Sequence, residues 1–215
     1  MNKLVILDMD GTLLAQRTVD VLCEAYNLKN ELDKIDKESS KLPAFKIAEK
    51  VAKLFQDIAV RDIQSTFNKI PLNPYVEEFI EFIRQEGFIT AIATDSYQFL
   101  AENLAKKLNV NLVYGLDVEI INGRFTGRIT SEYKCQEIRG CRRYYVCKLW
   151  FLRQCRRLFN PWTITIGDGE SDFCMSTESD FAIAFNPKSK SLEGVCDLKV
   201  SSFSELLDLD YSKFI

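Results

Sequence analysis

The chain has 215 residues, of which 47% are hydrophobic and 27% are charged, and its formal net charge is −3. This composition is typical of a globular protein, and the slight negative charge argues against a polyanionic partner. No apolar run approaches the ~20 residues that a transmembrane helix needs, and the N-terminal residues lack the pattern of a secretory signal. We therefore expect a soluble, cytoplasmic protein without membrane contacts.

The chain contains seven cysteines and no histidine. Without a secretory signal, the cysteines are expected to be reduced thiols. Four of them, Cys135, Cys141, Cys147 and Cys155, are spaced by six, six and eight residues. That spacing would scatter them around a helix, so we do not expect a zinc site. Because histidine is absent, acid–base chemistry must rely on Asp, Glu, Lys, Tyr or Cys.

The first predicted element is an apolar strand, Leu4–Leu7, that ends in Asp-Met-Asp-Gly-Thr at 8–12. Because strand side chains alternate, Asp8 and Asp10 leave the strand on the same side, at the end where open α/β sheets bind ligands. Two carboxylates at one point repel each other unless a cation or a shared proton separates them. The pattern therefore predicts a nucleophilic carboxylate, an acid–base carboxylate and a divalent metal ion. A strand that runs into a polar turn is the alternative.

The segment 15–74 has a helical pattern rich in Lys, Glu and Asp, with prolines as boundaries. We expect a small helical cap here, inserted after the Asp8/Asp10 turn and covering it. Residues 1–14 and 75–215 would then form the core. The predicted cap helices are Val19–Tyr26, Ala44–Gln56 and Arg61–Lys69.

Strands and helices alternate after residue 74, which predicts an α/β fold with a doubly wound, Rossmann-like parallel sheet and helices on both faces. An Asn-Gly pair within Ile120–Phe125 predicts a hairpin, and the tail from Phe203 to Ile215 predicts a short helix with a loose end. The predicted strands are Phe88–Ala93, Thr163–Ile166 and Phe181–Phe185. The predicted helices are Tyr75–Gln85, Tyr97–Leu108 and Tyr145–Phe159.

Polar groups follow two of these strands. Thr94-Asp95-Ser96 comes directly after Phe88–Ala93 and offers a hydroxyl and backbone amides that suit a phosphate, although a helix N-cap is the alternative. The segment Gly-Asp-Gly-Glu-Ser-Asp at 167–172 allows a sharp turn that aims two aspartates back at the strand end. Several carboxylates at one sheet edge require a cation, and a hard ion such as Mg²⁺ is expected.

Lys148 lies near the start of the helix that precedes the 167–172 segment. A lysine taken alone is usually solvated. Here the apolar neighbours Val146, Leu149 and Trp150 predict a half-buried ammonium group.

These motifs occur in the order found in the haloacid dehalogenase superfamily of phosphotransferases, and the chain resembles that family from end to end. The helical insertion resembles the cap of the phosphoserine phosphatase-like subgroup. The resemblance implies that Asp8 attacks phosphorus and forms an aspartyl-phosphate, while Asp10 protonates the leaving oxygen and later activates water. Because the dehalogenase branch needs no such leaving-group acid, the implied activity is phosphomonoester hydrolysis.

The resemblance also implies a Mg²⁺ site made of Asp8, the Asp10 carbonyl and Asp168, with Asp172 in support. Thr94 and Lys148 would orient and neutralise the transferring phosphoryl group. Asp95, beside Thr94, is a candidate substrate-binding residue.

Departures from the subgroup bear on the substrate. Arg17 stands where phosphoserine phosphatases carry a glutamate suited to a substrate ammonium, and Lys50 aligns with their carboxylate-binding arginine. Ser171 replaces an asparagine. An Arg17/Lys50 pair favours a small anionic substrate over an amino-bearing one. For Arg17, a surface position at the cap hinge is the alternative.

The stretch 134–157 carries eight positive residues and one negative residue, interleaved with aromatics. Such a helix could bind RNA or an acidic partner. We favour a solvated helix face whose aromatics pack on the sheet, since the chain has no overall basic charge and no recognisable nucleic-acid-binding fold.

Together these observations predict a Mg²⁺-dependent phosphatase acting on a small anionic phosphomonoester. Two alternatives stay open. One is phosphotransfer to an alcohol acceptor by the same residues. The other is a non-catalytic, phosphatase-like module that holds RNA or protein through 134–157. The sequence leaves the oligomeric state open, including a homodimer.

Overall fold

A parallel sheet of six strands forms the centre of the structure, a computed structural model that describes residues 2–136 and 138–211. In chain order, the described strands are β1 (Lys3–Leu7), β2 (Phe88–Tyr97), β3 (Leu112–Leu116), β4 (Val118–Ile121), β5 (Arg124–Ile129), β6 (Trp162–Gly167), β7 (Phe181–Phe185) and β8 (Leu198–Val200). The sheet order is β3-β2-β1-β6-β7-β8, while β4 and β5 form a separate antiparallel pair.

Helices cover the sheet and build the segment that follows β1. The described helices are α1 (Thr18–Ala25), α2 (Lys29–Glu38), α3 (Ala44–Leu54), α4 (Val60–Phe67), α5 (Val76–Gln85), α6 (Gln98–Leu108), α7 (Lys148–Phe159), α8 (Phe173–Ser176), α9 (Lys190–Glu193) and α10 (Phe203–Leu207). The predicted doubly wound α/β fold is confirmed. Within the described residues, no helix is long and apolar enough to cross a membrane.

The central strand β1 is buried on both faces, as its unbroken apolar run indicates. It pairs in parallel with β2 on one side and β6 on the other. In that register Leu7 lies between Ile92 and Ile166. The carboxyl ends of three strands therefore meet at one edge, which brings the residues after β1, the end of β2 and the loop after β6 together.

Four helices, α1–α4, lie in the predicted cap segment, where the sequence pattern indicated three. The missing one is α2, in which charged residues dominate and Leu32 and Ile35 are the buried side chains. Its apolar periodicity was too sparse to be recognised. The domain boundaries at 14/15 and 74/75 remain a prediction. Near them, Ala15 N–H donates to Pro71 O at 2.9 Å and the Asn73 side-chain amide donates to Thr12 O at 2.6 Å.

The predicted hairpin is confirmed as β4–β5, with positive φ angles of 51° at Asn122 and 72° at Gly123. It packs against the helices after β1 and does not extend the main sheet. Asp57 N–H donates to Phe125 O at 2.7 Å, and Val60 N–H donates to Gly123 O at 2.9 Å. The hairpin therefore supports the cap segment from the core side.

Other elements differ from their predicted bounds. β2 continues through the Thr94-Asp95-Ser96 group as far as Tyr97, and α7 begins at Lys148, three residues later than expected. The short strands β3 and β8 lie outside the predicted set, since three to five residues give little periodicity. The predicted C-terminal helix exists as α10, and the last part of the predicted loose end, 212–215, lies outside the described residues.

Candidate active site

Lys148, Asp8 and Asp172 form a buried charged cluster at the carboxyl edge of the sheet. Lys148 is 2% exposed, and its Nζ lies 2.6 Å from Asp8 Oδ1, 2.6 Å from Asp172 Oδ1 and 3.1 Å from Ser171 Oγ. All three ammonium donors are therefore satisfied. Burial lowers the pKa of Lys148, but the charges of Asp172 and Asp8 outweigh this effect and hold the pKa well above its ordinary value. The ammonium stays charged inside the protein.

The loop after β6 holds Asp172 in place. Asp172 Oδ2 accepts hydrogen bonds from the backbone N–H groups of Asp168 and Gly169, both at 3.0 Å. Gly167 leaves the necessary room, because a Cβ at that position would lie 2.2 Å from Asp172 Cγ. The glycine is required by close packing rather than by a positive φ.

Asp168 lies against the turn that follows β1. A Cβ on Gly11, where φ is +85°, would lie 2.3 Å from Asp168 Oδ2. The same carboxylate is 2.7 Å from Lys188 Nζ, and Lys188 N–H donates to Asp168 O at 2.8 Å. Lys188 was not among the predicted site residues.

Asp10 connects the edge of the sheet to α1. Its Oδ1 accepts the backbone N–H of Thr18 at 3.1 Å and the Thr18 hydroxyl. Burial raises the pKa of Asp10 to about 6, although the bonds from Thr18 lower it. A carboxyl group with this pKa can both give up and take a proton near neutral pH, as an acid–base catalyst must.

Asp8, Asp168 and Asp172 form an acidic group that could hold a metal ion. One carboxylate oxygen from each lies within 4.8 Å of the others, and all three residues are buried. Burial and the neighbouring Asp172 raise the pKa of Asp8 well above its ordinary value, and burial likewise raises the pKa of Asp168. These carboxylates need positive charge to ionise together, and hard oxygen ligands suit a divalent cation such as Mg²⁺ or Ca²⁺.

Thr94 and Asp95 lie in β2 beside this cluster. Thr94 is buried and its Oγ1 accepts the N–H of Ser96 at 3.1 Å. The alternative that this group caps the next helix is wrong, because Tyr97 is the N-cap residue of α6 and no side chain caps the helix. Asp95 Oδ1 is buried without a hydrogen-bond partner, and burial raises the pKa of Asp95 to about 6.

A cavity of about 450 Å³ opens above the cluster, between the sheet edge and the helices after β1. Arg17 lines it, and Arg17 Nη1 lies 3.1 Å from Asp36 Oδ2, which also lines it. Lys50 does not reach this cavity and pairs instead with Glu38. The structure therefore does not bring Arg17 and Lys50 together, and Arg17 shares the cavity with a carboxylate from the helix that the sequence pattern missed.

Arg142 is a cavity residue that sequence reasoning missed. Its Nη1 lies 3.2 Å from Glu170 Oε2, and its Nη2 donates to Ser39 O. The backbone carbonyls of Arg142 and Arg143 accept the N–H groups of Ala44 at 2.8 Å and Phe45 at 3.0 Å. The described part of 138–147 thus links the loop after β6 to the start of α3. The basic, aromatic composition of this segment was the sequence signal that could have pointed to Arg142.

Much of the remaining basic stretch is paired within the protein. Arg153 forms an ion pair with Glu178 at 2.5 Å, and Arg156 forms one with Asp180 at 2.9 Å. The rings of Trp150 and Phe151 pack on Tyr114, with centroids 5.5 and 5.1 Å away. These contacts favour the structural interpretation of α7 over an exposed nucleic-acid-binding face.

Comparison with known proteins is in line with this geometry. A family model described as haloacid dehalogenase-like hydrolase matches residues 5–177. A phosphoserine phosphatase of Idiomarina loihiensis is 25% identical over 211 residues, which are 97% of this chain and 92% of the relative. A phosphoserine phosphatase of Methanocaldococcus jannaschii is 22% identical over 189 residues, covering 87% of each chain.

Solved structures with the same fold include a phospho-aspartyl intermediate analogue of a phosphoserine phosphatase, with a TM-score of 0.82 and 22% identity. A substrate-bound phosphoserine phosphatase superposes with a TM-score of 0.83 and 21% identity. Each alignment covers 96% of this chain and 97% of the other.

Proposed function

This chain belongs to the haloacid dehalogenase-like hydrolase family, and we propose that it is a Mg²⁺-dependent phosphatase that cleaves a small anionic phosphomonoester through an aspartyl-phosphate on Asp8. The observation that carries the proposal is the buried cluster in which Lys148 bridges Asp8 and Asp172, with Asp8 lining the cavity. Its relatives are named phosphoserine phosphatases, which supports the reaction type.

The metal ion would be held by Asp8, Asp168, Asp172 and the backbone carbonyl of Asp10. The carboxylates fit this role, since they are buried, close together and short of positive charge. When bound, Mg²⁺ supplies positive charge that neutralises the transferring phosphoryl group.

The chain's own residues divide the remaining work. A carboxylate oxygen of Asp8 forms a bond to phosphorus while the bond from phosphorus to the ester oxygen breaks, and Asp10 donates its proton to that leaving oxygen. Asp10 then accepts a proton from a water molecule, which attacks phosphorus and releases phosphate and free Asp8. Lys148 holds Asp8 in position, and the Thr94 hydroxyl donates to a phosphoryl oxygen.

The cavity walls bear on the substrate. On the side of the helices after β1, apolar residues such as Val19, Ile47 and Val51 line it, which favours a small substrate. Arg17 and Arg142 supply positive charge, each already paired with a carboxylate. We propose that an anionic group of the substrate exchanges with Asp36 at Arg17. Arg17 keeps a charge-assisted partner in the exchange, and the released Asp36 carboxylate, whose side chain is 37% exposed, can be hydrated.

The test is phosphate release from a panel of phosphomonoesters that includes phosphoserine, sugar phosphates and nucleotides. We expect turnover of at least one small anionic ester by the wild type and none by Asp8→Asn. Asp62→Asn, on an exposed site of α4, is the matched control and should behave as the wild type. Full turnover by Asp8→Asn, after contamination is excluded, would contradict the mechanism. Alcohol acceptors added to the same assay separate hydrolysis from phosphotransfer.

A further inference from the structure

Three thiols lie together beside the active site, and the proposed reaction uses none of them. The Sγ atoms of Cys135 and Cys141 are 3.4 Å apart, and Cys174 forms a hydrogen bond with Cys141. A disulfide needs an S–S distance of about 2.05 Å, so the first pair is roughly 1.4 Å from bonding distance. Modest movement of one side chain would close that gap.

The surroundings of Cys141 favour its thiolate. The backbone N–H of Arg143 donates to Cys141 Sγ at 3.3 Å, and the N–H of Tyr144 also donates. Arg143 has a φ of +62°, and such a turn aims successive N–H groups at one anion. The bond from Cys174 and these N–H groups lower the pKa of Cys141 to about 5, whereas burial raises the pKa of Cys155 to about 11. Cys141 is therefore the thiol best suited to attack a disulfide.

The three thiols do not fit a single metal ion. Three ligand atoms that share one metal ion lie close together. Among the described residues, the acidic group of Asp8, Asp168 and Asp172 meets a limit of 4.8 Å between all its ligand atoms, whereas the three sulfur atoms do not. Thiol chemistry between neighbours is therefore the better explanation of their proximity.

Cys135 is the better partner for Cys141. It lies in 131–136, which has neither helix nor strand, so its backbone can adjust. Cys174 is buried in α8, directly after the loop that carries Asp172. Its helical backbone is fixed, so Cys174 is less able than Cys135 to move into bonding distance of Cys141.

The Cys141 turn is also part of the link between the core and the helices after β1. Cys141 adjoins Arg142, whose side chain and backbone contact Glu170, Ser39 and Ala44. If Cys141 moved toward Cys135, the neighbouring Arg142 would move with it, and these contacts would change. The thiol pair is thereby connected to a wall of the cavity.

We propose that Cys135 and Cys141 form a reversible redox-modification site that responds to a small-molecule disulfide and changes substrate binding. The Cys141 thiolate attacks one sulfur of the reagent RSSR, which forms a mixed disulfide and releases RS⁻. Cys135 then loses its proton and attacks Cys141 Sγ, which releases the second RS⁻. In sum, two protein thiols and RSSR give one protein disulfide and two RSH.

The test exposes the full chain to oxidised glutathione and then to dithiothreitol. Peptide mass spectrometry should find a Cys135–Cys141 disulfide in the oxidised protein and none after reduction. Cys135→Ser should accumulate a glutathione adduct on Cys141, and Cys141→Ser should form neither product. Cys155→Ser, whose thiol is buried in α7, is the control and should match the wild type.

The functional readout rests on the proposed phosphatase activity, whereas the mass measurement does not, so the two can fail separately. Oxidation should raise KM several-fold with a smaller change in kcat, and dithiothreitol should restore both. A Cys141–Cys174 linkage, or modification of Cys141→Ser equal to that of the wild type, would overturn the proposal. A Cys135–Cys141 disulfide that leaves KM unchanged would overturn the effect on substrate binding.

Discussion

Gly167→Ala is predicted to disable the site through packing alone, because it adds one methyl group and no charge. The new Cβ would lie 2.2 Å from Asp172 Cγ and 2.4 Å from Asp172 Oδ2. Ordinary carbon contacts are about 3.5 Å or longer, so Asp172 has to move by more than about 1 Å. That movement separates Asp172 from Lys148 and from the two backbone N–H groups that hold it.

The size of the effect follows from these lost contacts. Breaking a buried ion pair costs about 3–5 kcal/mol, and hydrogen bonds to a charged group contribute about 1.5–3 kcal/mol each. Because the contacts share one carboxylate, their energies do not add, and partial relaxation recovers some of them. We expect the free energy of unfolding to fall by about 3 kcal/mol, which lowers Tm by about 6–12 °C for a chain of this length.

The assay compares Tm and phosphate release in Gly167→Ala and Gly169→Ala. Gly169 belongs to the same loop, and nothing lies within 4 Å of a Cβ added there. Its substitution should change stability by no more than about 0.5 kcal/mol. Activity should be lost in Gly167→Ala and largely retained in Gly169→Ala. If both variants melt and turn over alike, the close packing of Gly167 on Asp172 does not position the site.

Three further predictions concern charge. Arg17→Glu should raise KM for anionic esters and lower KM for amino-bearing ones. Lys50→Glu, which changes a residue outside the cavity lining, should alter neither KM. Unchanged KM values in Arg17→Glu would refute the role of Arg17. Chelation of Mg²⁺ should stop phosphate release, and Mg²⁺ should raise Tm of the wild type but not of Asp168→Asn. Because burial raises the folded-state pKa of Asp95 to about 6 from 3.8, its ionisation destabilises the fold as pH rises through that range. Asp95→Asn should therefore melt at a higher temperature than the wild type at pH 7.5, with a gain in stability of at most about 3 kcal/mol. At pH 3.5, where Asp95 is protonated in both states, the variant and the wild type should melt at the same temperature. A gain of the same size at both pH values would contradict this origin.

The core could be predicted from sequence because its signals are local. Strands buried on both faces appear as apolar runs, and Asp8, Thr94 and Asp168 follow such runs directly. The haloacid dehalogenase-like family was predicted from the order of these motifs and is confirmed. The phosphatase activity that it implies agrees with the names of the relatives. Substrate remains a proposal, and so do the individual residue roles.

The cap segment was harder to predict, since its inner face depends on how four helices pack. Nothing in the local pattern distinguishes Lys50, which pairs with Glu38 and does not line the cavity, from a substrate-binding residue. Asp36 was not predicted as a cavity residue, because α2 has few apolar residues and was not recognised as a helix. Arg142 lies in a stretch that reads as one basic helix, but positive φ angles at Gly140 and Arg143 turn the chain there before α7 begins.

The bond between Lys148 and Asp8 has a consequence for how the chain folds. It joins residues 140 positions apart, and the bond to Asp172 is made 24 positions further along. Until α7 and the loop after β6 are in place, the central strand would end in carboxylates that are buried without a counter-charge, at a cost of several kcal/mol. The central strand therefore reaches its native burial only when the last third of the chain docks, and such distant contacts form slowly. Folding intermediates that lack α7 should be inactive, and catalytic competence should appear in the same kinetic phase as the final folded sheet.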